Sequence, residues 1–125
     1  MNFKENKPIY LQISDRIMDE IMQGNYPGDE RIPSVREFAA TVGVNANTVA
    51  RAFVYLQNSE VIYNRRGIGY FVSTDAKEKI EEMHKEQFIT TEIPEFLHKM
   101  EMLGISIEEI TRIYEQNKAQ NEKTN

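Results

Sequence analysis

The sequence contains no cysteine among its 125 residues. The lack of thiols excludes a disulfide-stapled scaffold, a zinc ribbon and a cysteine nucleophile. No apolar run approaches the roughly 18 residues needed to cross a membrane. Residues 1–7 also lack the apolar stretch of a secretory signal. We therefore expect a cytoplasmic protein that does not enter a membrane.

The chain also has too few residues for a large α/β barrel or a two-domain enzyme, because domains typically hold about 100–150 residues. It has the length of one domain, or of one small domain with an appendage. Hydrophobic residues make up 40% of the sequence and charged residues 28%. This composition supports a packed core and argues against wholesale disorder.

Histidine is scarce, with only His84 and His98 in the chain. A metal site would need further ligands near them, and no His-x-x-His pair exists, so we expect no metal and place His98 on the surface of a helix. No Ser/His/Asp set or pair of carboxylates stands out. Gly67-x-Gly69 lacks the third glycine and the following helix of a nucleotide-binding loop. We therefore expect neither an enzyme nor a cofactor.

The net charge of −5 is unevenly distributed along the chain. Basic and acidic side chains balance over residues 1–74, so the acidic excess lies in residues 75–125. Within residues 31–72 every basic side chain is an arginine, whose planar fork suits phosphate and guanine recognition. These side chains are Arg31, Arg36, Arg51, Arg65 and Arg66, against Glu37 and Glu60. The basic central block is compatible with a nucleic-acid partner, despite the acidic whole.

Apolar spacing and capping signals predict three helices before residue 60. Isoleucines recur every four residues after Pro8, which favours a first amphipathic helix. Ser34 and Glu37 form a capping box for a second helix, which Gly43 ends. Asn45 caps a third helix after a connection of about three residues. A tight turn with glycine between two short helices is typical of a helix-turn-helix.

Beyond the third helix the apolar residues form short extended runs. Residues 61–63 and 70–72 are β-branched or aromatic and predict two strands, joined by a turn at residues 65–69. Helix, helix-turn-helix and hairpin, in this order, form a winged-helix layout. We therefore predict a mainly α fold with a small β-hairpin wing, followed by a helical unit.

The sequence after residue 74 predicts further short helices. Thr90–Pro94 predicts a break, Ser106 and Glu109 a capping box, and residues 117–125 a frayed polar end. Short helices need tertiary burial to persist, so their apolar stripes face either the protomer's own core or a second copy. We favour the second copy and assign to dimerisation Ile80, Met83, Phe88, Phe96, Leu97, Met100, Leu103, Ile107, Ile110, Ile113 and Tyr114.

Four blocks of the sequence resemble the DNA-binding domain of the GntR family of bacterial transcription regulators. They are Gly24–Gly28, Ile32–Ala39, Val44–Val49 and Gly67–Val72. The resemblance covers about residues 8–73. The opening Pro8–Ile13 is similar to the YtrA-type branch, which carries a short helical extension. The resemblance implies a sequence-specific regulator that binds a pseudo-palindromic operator of double-stranded DNA as a homodimer. We expect the regulator to be a repressor.

The helix-turn-helix and the wing supply the residues that we assign to DNA. The N-terminal residues of a recognition helix meet base edges in the major groove. Hydroxyls near helix N-termini suit phosphates, and arginines beside a glycine turn suit the minor groove. The assigned residues are Ser34, Arg36, Asn45, Asn47, Thr48, Arg51, Arg65, Arg66 and Gly67. Asn45 could be a helix cap alone, and Tyr10 and Tyr63 are interpreted as packing residues.

The chain departs from the family pattern at three positions. Many family members have arginine where Ala46 and Ala50 stand, and most have glycine where Glu60 stands. These departures shift the predicted base reading toward Asn47 and Arg51. Glu60 also places a negative charge near the DNA side.

We divide the chain into a DNA-binding domain (residues 1–74), a helical dimerisation and effector region (75–118) and a polar tail (119–125). YtrA-type members tend to control ABC-transporter operons, so the resemblance implies such a target. Regulation stays open between a small-molecule effector of unknown identity and control by protein level or a partner protein. The alternative function is a winged-helix adaptor that binds protein and not DNA.

Overall fold

The computed structural model describes residues 6–124, and the chain divides between Met83 and His84 into two compact units. The first unit contains three helices, a hairpin and most of a fourth helix. Their bounds are α1 Ile9–Met22, α2 Val35–Val42, α3 Ala46–Asn58, β1 Ile62–Arg65, β2 Gly69–Val72 and α4 Ala76–Gln87. The predicted fold class, a winged helix-turn-helix with further helices after it, is confirmed.

The helix-turn-helix is built by the caps that the sequence predicts. Ser34 Oγ accepts a hydrogen bond from the Glu37 N–H at 3.1 Å, and Glu37 Oε1 accepts one from the Ser34 N–H at 3.2 Å. Gly43 ends α2 with φ of 70°, in the left-handed region that glycine adopts without steric cost. Asn45 Oδ1 accepts from the Asn47 N–H at 2.7 Å and so begins α3. The three-residue connection between the helices therefore has a defined path.

The core of the first unit is centred on Phe53 of α3, which is fully buried. Phe38 and Tyr70 both pack edge-to-face against its ring, with centroids 6.5 and 5.0 Å away. Ala76 and Ile80 of α4 are buried in the same core. The first unit therefore extends beyond residue 74, the boundary expected from the sequence.

The wing is an antiparallel hairpin in which Ile62 pairs with Val72 and Arg65 with Gly69. Its turn is residues 66–68, shorter than predicted. A third segment also pairs with the outer edge of β2, because the Ile32 N–H donates to the Tyr70 carbonyl at 2.9 Å. The chain entering the helix-turn-helix is thereby joined to the wing by backbone hydrogen bonds, which the sequence did not predict.

The predicted break at Thr90–Pro94 is wrong, because the chain stays helical there. A π-helical turn, Phe88–Glu92, follows α4 directly and leads into α5, Ile93–Met102. Proline lacks an N–H, and its ring clashes with the carbonyl four residues earlier in an α-helix. Pro94 lies in the first turn of α5, where a missing N–H is tolerated, and the wider π turn precedes it.

The end of the chain is also more helical than expected. Gly104, with φ of 68°, separates α5 from α6, Ile107–Thr124. Ser106 Oγ accepts from the Glu109 N–H at 3.2 Å, which is one half of the predicted capping box. Helix α6 continues through Thr124, past the start of the polar end that was expected to fray, and Asn125 lies outside the described residues. No helix within residues 6–124 is long and apolar enough to span a bilayer.

The second unit has no buried core in a single protomer. Across residues 84–123 no side chain is buried, and only Ile93, Met100, Ile105 and Ile110 are partly covered. The exposed large apolar side chains are Phe88, Ile89, Phe96, Leu97, Met102, Leu103, Ile107, Ile113 and Tyr114. A shallow groove beside the π-helical turn is lined by Phe88, Ile93 and Phe96.

Two residues assigned to dimerisation lie in the first unit and pack in or against its core. Ile80 is fully buried in the core of the first unit, and Met83 packs against that core. The assignment of Ile80 is wrong, because a fully buried side chain offers no surface to a second copy, whereas Met83 is only partly covered. The apolar stripe of α4 therefore serves the first unit.

Candidate nucleic-acid interface

Helix α3 has one buried and one exposed face. Val49, Phe53 and Leu56 are fully buried against the core, while Asn47 and Arg51 are exposed. These last two residues are one turn apart on the side that faces solvent. Asn45 and Ala46 are exposed at the N-terminal end of the same helix. The exposed face therefore presents an amide and a guanidinium close to the helix N-terminus.

The Arg51 guanidinium lies over the ring of Tyr10 from α1, with 4.1 Å between its central carbon and the ring centroid. The Tyr10 ring is itself held edge-to-face against Tyr55 at 6.2 Å. A cation–π contact at an exposed site stabilises by about 0.5–1 kcal/mol and orients the guanidinium plane. Tyr10 is thus a packing residue, as predicted, and it also positions Arg51.

Helix α2 contributes Arg36 beside the capping box. Arg36 is exposed in the first turn of α2, and Ser34 lies at the N-cap. Hydrogen bonds from the Ser34 backbone N–H and from its hydroxyl lower the pKa of the Glu37 carboxyl. Ser34 therefore serves as the cap of α2, and Arg36 is the exposed positive charge in the first turn of that helix.

Asn45 and Thr48 lie at the start of α3 and have limited freedom. The Asn45 side-chain oxygen accepts from the Asn47 N–H, so its cap role is observed. The Thr48 backbone N–H donates to the Asn45 carbonyl at 3.1 Å, and Thr48 is partly buried. The Asn47 amide is exposed and makes no observed side-chain hydrogen bond. Asn47 is therefore the more available of the two asparagines.

The wing presents its arginines at and beside the hairpin turn. Arg65 lies over the Phe71 ring at 5.2 Å, and Phe71 stacks on Tyr63 at 5.7 Å. Arg66 and Gly67 are exposed in the turn, where Gly67 adopts φ of 78°. The aromatic stack holds Arg65 in place, whereas Arg66 extends from the tip of the wing.

Arg31 is a candidate interface residue that the sequence interpretation missed. It forms an isolated bridge to Phe71, and a Cβ built on Gly69 would lie 2.9 Å from Arg31 Nε. Gly69 has φ of 143°, a conformation that residues with a side chain rarely adopt, and its lack of a Cβ lets the Arg31 guanidinium approach the backbone. Arg31 thus joins Arg65 at the wing. The sequence signal that could have identified Arg31 is its place in the block of residues 31–72, where every basic side chain is an arginine.

Glu60 adopts a positive φ of 63°, at the position where the family usually has glycine. Its carboxylate lies 3.0 Å from Lys79 Nζ of α4 and raises the pKa of that ammonium by accepting its hydrogen bond. Left-handed backbone at a residue with a side chain costs about 1 kcal/mol or more. The negative charge of Glu60 is therefore paired with the ammonium of Lys79.

The two histidines and the carboxylates do not gather into a cluster of metal ligands in the described part of the chain. His84 and His98 are exposed. Within residues 6–124 no group of three or more histidine, aspartate or glutamate side chains could hold a metal ion. The arrangement is instead a set of exposed arginines and an amide on α2, α3 and the wing.

The family model "Bacterial regulatory proteins, gntR family" matches residues 9–72, which span α1, the helix-turn-helix and the wing. The chain belongs to the GntR family. This regulator is 35% identical over 109 residues to the HTH-type transcriptional regulator YhcF of Bacillus subtilis, covering 86% of this chain and 88% of YhcF. It is 28% identical over 107 residues to the HTH-type transcriptional repressor YtrA of the same organism, covering 86% and 82%.

Solved structures of GntR regulators agree with this assignment. A GntR-family regulator from Bacteroides thetaiotaomicron is 50% identical, with a TM-score of 0.78 over 90% of this chain and 98% of its own. A structure of AraR(DBD) in complex with operator ORR3 is 29% identical, with a TM-score of 0.53 over 58% and 88% of the two chains. The GntR assignment agrees with the resemblance inferred from the sequence, and the relatives named above are transcription regulators.

Proposed function

We propose that this GntR regulator binds a pseudo-palindromic operator as a homodimer and represses the genes beside it. The observation that supports this most directly is the exposed face of α3. It presents Asn47 and an oriented Arg51 on the recognition helix of a winged helix-turn-helix. Side chains of these types pair bidentately with adenine and guanine in the major groove.

The remaining contacts fall into two groups in this proposal. Arg36, with Ser34 and Thr48 near the helix N-termini, contacts the phosphates that fix the register. Arg65, Arg66 and Gly67, joined by Arg31, enter the narrow minor groove beside the recognition helix. Asn45 serves chiefly as the cap of α3. The charge that attracts DNA is thus concentrated in the first unit, although the whole chain is acidic.

The homodimer is supported by the exposed apolar side chains of the second unit. With no buried side chain across residues 84–123, these helices lack the tertiary contacts that short helices need. A second copy would cover Phe96, Leu97 and Leu103 along with the rest of the exposed set. Residues 1–74 would then carry the DNA contacts, and the dimer contacts would come from residues 84–118 of the region 75–118. The polar helical end 119–124 would stay in solvent.

The target and its control extend the comparison with YtrA. A similar short helical extension follows the DNA-binding domain in that branch, whose members tend to control ABC-transporter operons. An ABC-transporter operon is therefore the proposed target. Control by a small-molecule effector would require differential binding worth about 1–3 kcal/mol between two states of the dimer. A rise in melting temperature with a candidate metabolite would support an effector over control by protein level.

The test is the selection of bound duplexes from a random DNA pool by the purified full chain. We expect an enriched inverted repeat with half-sites about one helical turn apart. Binding should weaken steeply as salt rises, because phosphate contacts release counterions. Arg36→Ala protein should enrich less DNA from the same pool. A folded protein that enriches no sequence at low salt would contradict the proposal and favour the protein-binding adaptor.

A further inference from the structure

The exposed face of α3 carries an apolar row beside its polar one. Ala46, Ala50 and Val54 follow one another at four-residue spacing, so they lie along one side of the helix on successive turns. Asn47 and Arg51 form the neighbouring row, one residue further on. The exposed side of α3 therefore carries a methyl-bearing row beside a polar row.

Val54 is the unusual member of this row. It is 51% exposed, whereas Val49, Phe53 and Leu56 of the same helix are fully buried. Ala46 is exposed as well, and Ala50 is partly exposed. The β-branched side chain of Val54 has one strongly preferred rotamer in a helix, so its methyl groups hold a fixed position. The row thus presents a rigid apolar strip to whatever α3 contacts.

We propose that Ala46, Ala50 and Val54 recognise thymine through its C5-methyl group in the major groove. This inference rests on the proposed DNA binding. The row has no hydrogen-bond donor or acceptor, so it would leave the polar edge of guanine, cytosine or adenine unpaired at the cost of desolvation. The thymine methyl is the apolar feature of the major-groove edge, and apolar side chains contact it. The operator should therefore be rich in thymine opposite this row, where Asn47 and Arg51 specify the neighbouring bases.

The test uses the selected duplex and a copy in which deoxyuridine replaces each half-site thymidine. This exchange removes the C5-methyl groups and leaves the hydrogen-bonding edges unchanged. We expect the wild-type chain to bind the uracil duplex about three- to fivefold more weakly for each contacted methyl. For Val54→Ala protein, the ratio between the two duplexes should shrink, because two of the contacting methyl groups are gone.

Arg36→Ala is the matched control, since its proposed contact is a phosphate. It should weaken binding to both duplexes and leave their ratio at the wild-type value. Val54 is exposed and alanine favours helix, so Val54→Ala should fold normally, which its melting temperature would verify. Equal wild-type binding to both duplexes, or an unchanged ratio in Val54→Ala, would overturn thymine reading and leave the proposed function standing. Failure to bind either duplex would instead contradict the proposed function.

Discussion

The two units of this GntR regulator place their apolar side chains in opposite ways. In the first unit Ile13, Ile17 and Ile21 of α1 pack with residues of α3 and the wing strands around Phe53. Across residues 84–123 no side chain is buried, and the apolar residues of α5 and α6 lie on the surface. The first unit buries its apolar side chains within one protomer, whereas the second leaves them exposed, which supports the proposed dimer. In the proposed dimer, folding stability and association would therefore depend on different parts of the chain.

The largest effect should come from truncating matched phenylalanines in the two units. Phe53→Ala should lower the free energy of unfolding by about 3–5 kcal/mol, because it removes a fully buried ring and leaves a cavity. Phe96→Ala removes a ring that is 47% exposed, so it should cost the first unit almost nothing and weaken association instead. Urea denaturation at several protein concentrations separates the two effects. Equal losses in both variants would remove the contrast between the units.

Association itself should fail when a charge enters the exposed apolar set. Leu103→Asp places a carboxylate where the proposed dimer excludes water, so the dimer dissociation constant should rise about 100-fold. Ile110→Asp should act in the same direction. Analytical ultracentrifugation measures the change, and Gln116→Asp, which adds the same charge to a polar side of α6, should sediment as wild type. A Leu103→Asp protein that remains dimeric would show that the apolar set has another role.

Operator affinity should depend on arginines of the first unit, and replacing these arginines should leave the fold unchanged. Arg36→Ala and Arg51→Ala should each weaken binding by about 1–3 kcal/mol, with melting temperatures near wild type. Fluorescence anisotropy with the selected duplex measures both. Arg16→Ala removes an exposed arginine of α1 that pairs with Glu20, outside the proposed interface, and should bind normally. Wild-type affinity in the Arg36 and Arg51 variants would move the DNA-reading surface elsewhere.

The smallest effect should be a pH-dependent difference at the capping box. Because Ser34 lowers the pKa of Glu37 in the folded state, Glu37 contributes stability that is fully present above its ordinary pKa of 4.5. That contribution disappears as pH falls through the lowered pKa. Glu37→Gln keeps the box and removes the charge, so it should melt below wild type at neutral pH and approach it in acid. A difference in melting temperature between wild type and Glu37→Gln that stays the same at all pH values would contradict this role of the charge.

Most of the first unit was predictable, because its signals are local. The Ser34–Glu37 capping box, the left-handed Gly43 and the Asn45 cap each act within four residues. Their spacing therefore indicated the helix-turn-helix directly from the sequence. The positions of the exposed arginines followed from the same pattern.

Contacts between distant segments were not predictable. Tyr10 meets Arg51, and Arg31 meets Gly69, only after the helices and the wing have packed. Periodicity also finds an apolar stripe without naming its partner, which is why Ile80 was assigned to the wrong surface. Pro94 was interpreted as a helix breaker because the π turn that accommodates it has no signal in composition.

The pairing of the wing with the chain before α2 also bears on amide hydrogen exchange. The Ile32 N–H donates to the Tyr70 carbonyl at 2.9 Å, and the Val72 N–H donates to the Glu30 carbonyl at 3.0 Å. Ile32 and Val72 are both almost fully buried. Their amides should therefore exchange with deuterium as slowly as those of α3, through opening of the whole first unit. The hairpin would then behave as part of the core, with fast exchange confined to the turn at residues 66–68.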